Sequence, residues 1–283
     1  MEECNFSMNA DLKKQIEQKT LNMRKDSLKM SVAAGVSGAH LGGGLSMMEI
    51  MAVLYLGVMN INPHNLEDEN RDRFILSKGH GTLALYTAMN QAGIIPNEEL
   101  MTFKSNDTFL TGHPIMNVKR GIEFSSGSLG QGLSLGVGTC LALKKKGNEH
   151  SRCFVLLGDG ECNEGSIWEA AMTASHYKLN NLVAIIDKNN LQYDGSTEEV
   201  LNMGDMVAKW SAFGWDVREI DGHSIEELYE TLSEKTDRPL AVIANTIKGK
   251  GVSFMENNPK FHHAVLNQSK CDEAIAELEK KYA

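Results

Sequence analysis

Two apolar runs, each ending in a polar turn, constrain this chain more than any other feature. Residues 153–157 (CFVLL) end in Gly158-Asp159-Gly160, and residues 182–186 (LVAII) end in Asp187-Lys188-Asn189-Asn190. Residues 167–178, between them, form an amphipathic segment. Short apolar runs bounded by turn residues and joined by such a segment read as strand, helix, strand. A helical crossover makes the two strands parallel neighbours, with their carboxyl ends at one edge of the sheet. Asp159 and Asn189 are therefore expected to lie close in space. A carboxylate beside an amide carbonyl, at the ligand-binding edge of an open sheet, suits a hard divalent cation and a phosphate.

The rest of the chain repeats this alternation. Residues 11–34 read as a helix. His40 stands just before a glycine run, 42–44, and Ser46 is placed to cap a helix over 47–56, with Glu49 at the capping-box position. A glycine run before a helix start leaves backbone N–H groups free for an anion; it is also what a flexible turn looks like. Residues 71–76 read as a strand ending in Ser77-Lys78-Gly79-His80, followed by a helix over 81–92. His113 lies between Gly112 and Pro114, in a fixed turn. Taken alone, His80 and His113 read as ordinary surface or capping histidines.

Gly132, Gly136 and Gly138 fall inside an apolar helical pattern, where glycine costs roughly 1 kcal/mol relative to alanine. Their spacing predicts close packing against another backbone or a ligand. Farther on, helices are expected over 203–213 and 272–282 and strands over 215–220 and 240–246. Ser224 and Glu227 form a capping box before another helix. Strands alternating with helices predict an α/β fold with a doubly wound, mostly parallel sheet and helices on both faces. The expected organisation is a single domain, 1–283, with an N-terminal helical extension.

Composition excludes several classes. The net charge of −9 argues against nucleic acid, and no window approaches a membrane span. The N-terminal residues lack the apolar core of a signal peptide. Five cysteines (Cys4, Cys140, Cys153, Cys162, Cys271) without C-x-x-C spacing read as reduced thiols of a cytoplasmic protein.

The Gly-Asp-Gly turn is not the dinucleotide fingerprint, because Asn163 stands where its third glycine would be. Asp187, at the end of the next strand, still mimics a ribose-binding acid, which keeps an NAD site as the weaker reading. The stronger one is a metal–diphosphate site. Mg²⁺ commonly combines one or two protein oxygens with substrate phosphates and water, and Gly160 lets a backbone amide approach a phosphate oxygen.

Gly158-Asp159-Gly160 together with Asn189-Asn190 resembles the signature of thiamine-diphosphate enzymes. Within that group the chain resembles a transketolase: NRDRFILSKGH, TGHP, GSLGQGLSLGVG, GDGECNEGSIWEA and NNLVAIIDKNNLQYDG all match segments of that family in the same order, over about residues 11–265. The resemblance implies a thiamine-diphosphate-binding fold of the diphosphate (PP) type.

It also implies roles. Asp159, Asn189 and the Leu191 carbonyl resemble the ligands of a divalent cation (Mg²⁺, or Ca²⁺ or Mn²⁺). Gly158 and Gly160 resemble the diphosphate turn. His80 and His262 resemble histidines at the diphosphate and reacting centre; the local text FHHAVLN departs from the family's Trp-His-Gly, so His263 competes with His262. His40 and His113 resemble histidines that bind the donor's hydroxyls. Gly127 and Leu129 resemble residues lining the cofactor pocket, and Glu164 a glutamate at the dimer interface near the cofactor. Asp194 falls in a Tyr-Asp-Gly turn.

The implied reaction is transfer of a two-carbon ketol unit from a ketose phosphate to an aldose phosphate in the pentose phosphate pathway. The thiazolium is the electron sink, and the histidines move hydroxyl protons near neutral pH. The pyrimidine-binding and C-terminal domains of that family have no counterpart in the sequence. The resemblance thus implies the N-terminal subunit of a split enzyme, completed by a C-terminal subunit in an α2β2 assembly, with a truncated longer protein as the alternative. The turn pair is shared by deoxyxylulose-phosphate synthases and by the E1 component of 2-oxoacid dehydrogenases, and a non-catalytic cofactor-binding regulator is an alternative from a different class. His40, His80 and His113 favour the transketolase.

Overall fold

The computed structural model describes residues 8–282; Cys4, the start of the N-terminal segment and Ala283 lie outside them. The helices are α1 (Ala10–Ala33), α2 (Leu41–Leu45), α3 (Met48–Val53), α4 (Thr82–Gln91), α5 (Asn97–Leu100), α6 (Gly132–Lys145), α7 (Gly165–His176), α8 (Thr197–Leu201), α9 (Met206–Ala212), α10 (Ile225–Ser233) and α11 (Gln268–Lys281). The strands are β1 (Arg73–Leu76), β2 (Cys153–Gly158), β3 (Leu182–Lys188), β4 (Asp216–Asp221) and β5 (Leu240–Asn245). They form one parallel sheet in the order β1-β2-β3-β5-β4.

Successive side chains of a strand point to opposite faces, and the two cores divide accordingly. Phe154, Leu156, Val183, Ile185 and Val242 pack beneath α1, α3, α4 and α10. Val155, Leu157, Ala184, Ile186 and Ile243 pack beneath α6, α7 and α9, with Trp210 and Trp215. Burial on both faces is why β2, β3 and β5 read as continuous apolar runs rather than alternating ones. β4, at the edge, is half exposed. Among the described residues no helix is long and apolar enough to cross a membrane. Cys140, Cys153, Cys162 and Cys271 are buried and unpaired.

The structure corrects four local expectations. Ser46 is not the N-cap of α3: Met47 holds that position, and the Ser46 hydroxyl turns inward to Gly43 O and Asp187. Glu49 is no capping-box partner but a buried ion pair with Arg24. The glycine run is not a loop. It forms the body of α2, where a Cβ on Gly43 would lie 3.1 Å from the His80 ring. Gly136 is held against Val155, where a Cβ would come within 2.6 Å, but Gly138 faces open space. The short α8, capped by Ser196, was not foreseen. Ser224 does cap α10, accepting from the Glu227 N–H at 3.3 Å, while Glu227 reaches back to the Asp221 N–H rather than to Ser224.

Candidate active site

The carboxyl ends of β1, β2, β3 and β5 meet at one sheet edge, and the register sets Gly158 of β2 beside Asp187 of β3 and Asp187 beside Ala244 of β5. A cleft of about 390 Å³ opens there. It is lined by His40, His80, His113, Gly127, Leu129, Gly158, Asp159, Gly160, Asn189, Leu191 and His262. Glu164 and His263, also singled out in the sequence, stay outside; Glu164 is exposed, preceding the first turn of α7. A larger cavity, about 540 Å³, lies between α1 and α10, away from this constellation.

The turns after β2 and β3 are tied together. Asp159 Oδ2 accepts from the Asn190 N–H at 2.5 Å, and Oδ1 accepts from the Gly160 N–H at 2.8 Å. The Gly160 amide, expected to face a phosphate, is thus engaged by Asp159. What Gly160 contributes is the lack of a side chain: a Cβ would lie 2.7 Å from Gln192 Cδ. Asn189 Oδ1 accepts from the Leu191 N–H at 3.2 Å. Asp159 and Asn189 are both buried. Burial and the neighbouring Asp187 push the Asp159 carboxyl up to about 6.

The histidines form a single cluster. The ring of His40 lies 5.4 Å from His80, 5.5 Å from His113 and 5.6 Å from His262, and His80 lies 5.2 Å from His262. His263 packs edge-on against His40, ring centres 4.6 Å apart, from outside the cleft. An antiparallel bridge between Ala39 and Ala264 brings these two segments together. Burial, reinforced by the neighbouring imidazoles, lowers His40 to about 3. Burial and Lys248 lower His262 to about 4. His80 and His113 are also lowered, chiefly by burial. At neutral pH these are neutral imidazoles, each with one donor and one acceptor nitrogen.

Lys248 was missed. Its Nζ donates to the Leu191 carbonyl at 2.8 Å and sits 3.0 Å from His262 Nδ1. The ammonium makes Nδ1 the acceptor, which leaves the proton on Nε2. Burial and Lys78 lower Lys248 to about 8. Its only signal in the sequence was a lysine in the irregular KGKG segment, which has no period to place it. Asp187 is no ribose-binding acid. It is wholly buried, with both oxygens engaged by side chains, so a dinucleotide cannot reach it.

The family model described as "Transketolase, thiamine diphosphate binding domain" matches residues 17–282. The chain is 40% identical to one of the subunits of the apulose-4-phosphate transketolase of Phocaeicola vulgatus over 271 residues, covering 94% of this chain and 96% of that one. It is 41% identical to a 6-deoxy-6-sulfo-D-fructose transketolase subunit of Clostridium sp. over 266 residues, covering 92% and 95%. Human transketolase is 36% identical across 90% of this chain, which spans only 41% of that protein. The crystal structure of Campylobacter jejuni transketolase superposes with a TM-score of 0.83 at 30% identity, covering 95% of this chain and 43% of that one. The chain belongs to the transketolase family, as its thiamine diphosphate-binding domain.

Proposed function

We propose that this chain binds the diphosphate end of thiamine diphosphate through a divalent cation, and that it transfers ketol units only when a second chain completes the site. The observation that carries the reading is the pairing of Asp159 with the Asn189–Leu191 turn across β2 and β3, below four neutral histidines. The donor set fits such a cation: one carboxylate, one amide oxygen and one carbonyl. Mg²⁺ is commonly held by few protein oxygens plus phosphate and water. Among the described residues no group of three or more His, Cys, Asp or Glu could hold a metal alone. Asp159 is buried beside a second carboxylate, and a cation there would offset both its desolvation and the repulsion. The buried Gln192 Nε2, packed over Gly160, has no partner and offers a spare donor beside the turn.

Thiamine diphosphate, when bound, supplies the electron sink for a two-carbon carbanion. The chain supplies the rest of this half-site. Lys248 adds positive charge beside the Leu191 carbonyl. Gly127 and Leu129 wall one side of the cleft. His40 and His113 would meet the donor hydroxyls, and neutral imidazoles can pass hydroxyl protons either way. His262, rather than His263, faces the cleft.

The described residues contain one sheet. The chain spans 96% of the Phocaeicola vulgatus protein, itself named as one subunit of a transketolase, but 41% of human transketolase. Both observations support a partner carrying the missing half of the site; the assembly we propose is α2β2, with the pyrimidine-binding half on the partner and sugar phosphates as substrates. Buried, unpaired thiols suit a cytoplasmic setting. Calorimetric titration of thiamine diphosphate with Mg²⁺, then with EDTA, tests the cofactor reading. Cation-dependent binding that Asp159→Ala abolishes is expected, and cation-independent binding overturns it.

A further inference from the structure

Beneath the cleft, the segments that carry the site residues converge on one buried carboxylate. Asp187 is the penultimate residue of β3 and is 0% exposed. Its Oδ2 accepts from Ser46 Oγ at 2.6 Å, from Asn189 Nδ2 at 3.2 Å and from Lys78 Nζ. Its Oδ1 accepts from Thr246 Oγ1. Lys78 Nζ also donates to the Gly43 carbonyl at 2.9 Å. Each partner stands close in sequence to a group that lines the cleft. Ser46 and Gly43 follow His40, Lys78 precedes His80, Thr246 precedes Lys248, and Asn189 lines it directly.

The chemistry at Asn189 is the informative part. An ionised carboxylate only accepts, so the end of the Asn189 amide that faces Asp187 must be the NH₂ group. The oxygen is then left on the other side, toward the Leu191 N–H and the turn shared with Asp159. A buried ion pair is a weak source of stability, and an apolar pair of similar volume is often as stable or more so. What Asp187 and Lys78 supply that an apolar pair cannot is a preference for one end of that amide.

We propose that Asp187, neutralised by Lys78, is a positioning residue that fixes the Asn189 amide with its oxygen toward the cation. The inference rests on the proposed cation–thiamine diphosphate site. Outer-sphere partners of this kind typically change metal affinity roughly 10–100-fold when removed.

The test is Mn²⁺ binding to the full chain in the presence of thiamine diphosphate, followed by electron paramagnetic resonance, with thermal unfolding of each variant as the fold control. Lys78→Met/Asp187→Leu keeps the core uncharged and is expected to bind Mn²⁺ roughly 10–100-fold more weakly. Asn189→Asp separates orientation from structural support, because a carboxylate presents oxygen at either end. In the parent chain it sets two carboxylates face to face, and Mn²⁺ binding should weaken. In the Lys78→Met/Asp187→Leu background it should strengthen binding. Unchanged affinity in the paired variant overturns the inference, and so does tighter binding by Asn189→Asp in the parent. If the paired variant does not fold, the sign of the Asn189→Asp effect in the parent decides alone. Failure of the parent to bind Mn²⁺ with thiamine diphosphate overturns the site reading itself, and the inference with it.

Discussion

The Asn190 N–H donates to Asp159 Oδ2 at 2.5 Å, joining the turns after β2 and β3. Asn190 reaches this geometry at φ +61°, in the left-handed region. Asparagine and glycine visit that region readily; a β-branched side chain is strained there by about 1–2 kcal/mol. Asn190→Gly should therefore keep both stability and cofactor affinity. Asn190→Val should lower stability by about 1–2 kcal/mol and weaken thiamine diphosphate binding. Denaturant unfolding and calorimetry check this, and equal behaviour of the two variants contradicts it.

Glu49 anchors α3 to α1 and to the loop after β4. Arg24 Nη2 donates to it at 2.9 Å, and His223 Nδ1 is 3.0 Å away. His223 Nε2 accepts from the Ile247 N–H at 2.8 Å, so the ring's proton sits on Nδ1 and is donated to Glu49. Burial pushes the carboxyl up, but Arg24 and His223 outweigh it and hold it at about 2 against an ordinary 4.5. A folded value below the unfolded one contributes stability that is full above about pH 4.5 and lost as pH falls toward 2. The gap corresponds to about 3 kcal/mol. Glu49→Gln should cost a similar amount at pH 7, because it strands a buried guanidinium, and should flatten the loss between pH 4.5 and 2. Unfolding curves across that range measure both effects, and an unchanged acid limb contradicts the assignment.

Two glycines on α6 should respond with opposite sign. Gly136→Ala drives a Cβ against Val155 and should destabilise by about 1–3 kcal/mol. Gly138→Ala meets open space on an exposed helical position and should stabilise by about 0.5–1 kcal/mol. Thermal unfolding of the single chain decides; the same sign at both positions would contradict the packing described.

His113 and His263 both neighbour His40, yet His113 alone of the two lines the cleft. In the assembled enzyme His113→Ala should lower turnover by roughly 10²–10⁴-fold while barely changing cofactor affinity. His263→Ala should leave turnover within a few-fold. Steady-state kinetics paired with calorimetry would sink the assignment if His113→Ala turned over normally.

The sheet edge that brings Asp159 to the Asn189 turn was legible because β2 and β3 are buried on both faces. Their apolar runs are then continuous, and the turn residues mark where each strand stops. Parallel pairing followed from the crossover, so Asp159 and Asn189 could be placed together before any coordinates. The histidines needed the family resemblance, since no local period marks His40, His80 or His113. The choice between His262 and His263 depended on the bridge from Ala39 to Ala264, a contact across most of the chain. Lys248 and the Asp187–Lys78 pair were invisible for the same reason: each acts on a partner far away in sequence. The glycine run misled because glycine before an apolar segment resembles a loop, whereas here α2 must pass close to His80 and Leu83.

The most direct test of the account is ketol transfer from a ketose phosphate to an aldose phosphate, measured with thiamine diphosphate and Mg²⁺. The purified chain is assayed alone and after co-expression with the pyrimidine-binding chain sought in the neighbouring reading frame. No transfer by the single chain is expected, and sustained transfer by the pair, lost again in Asp159→Ala. Sustained transfer by the single chain would contradict it.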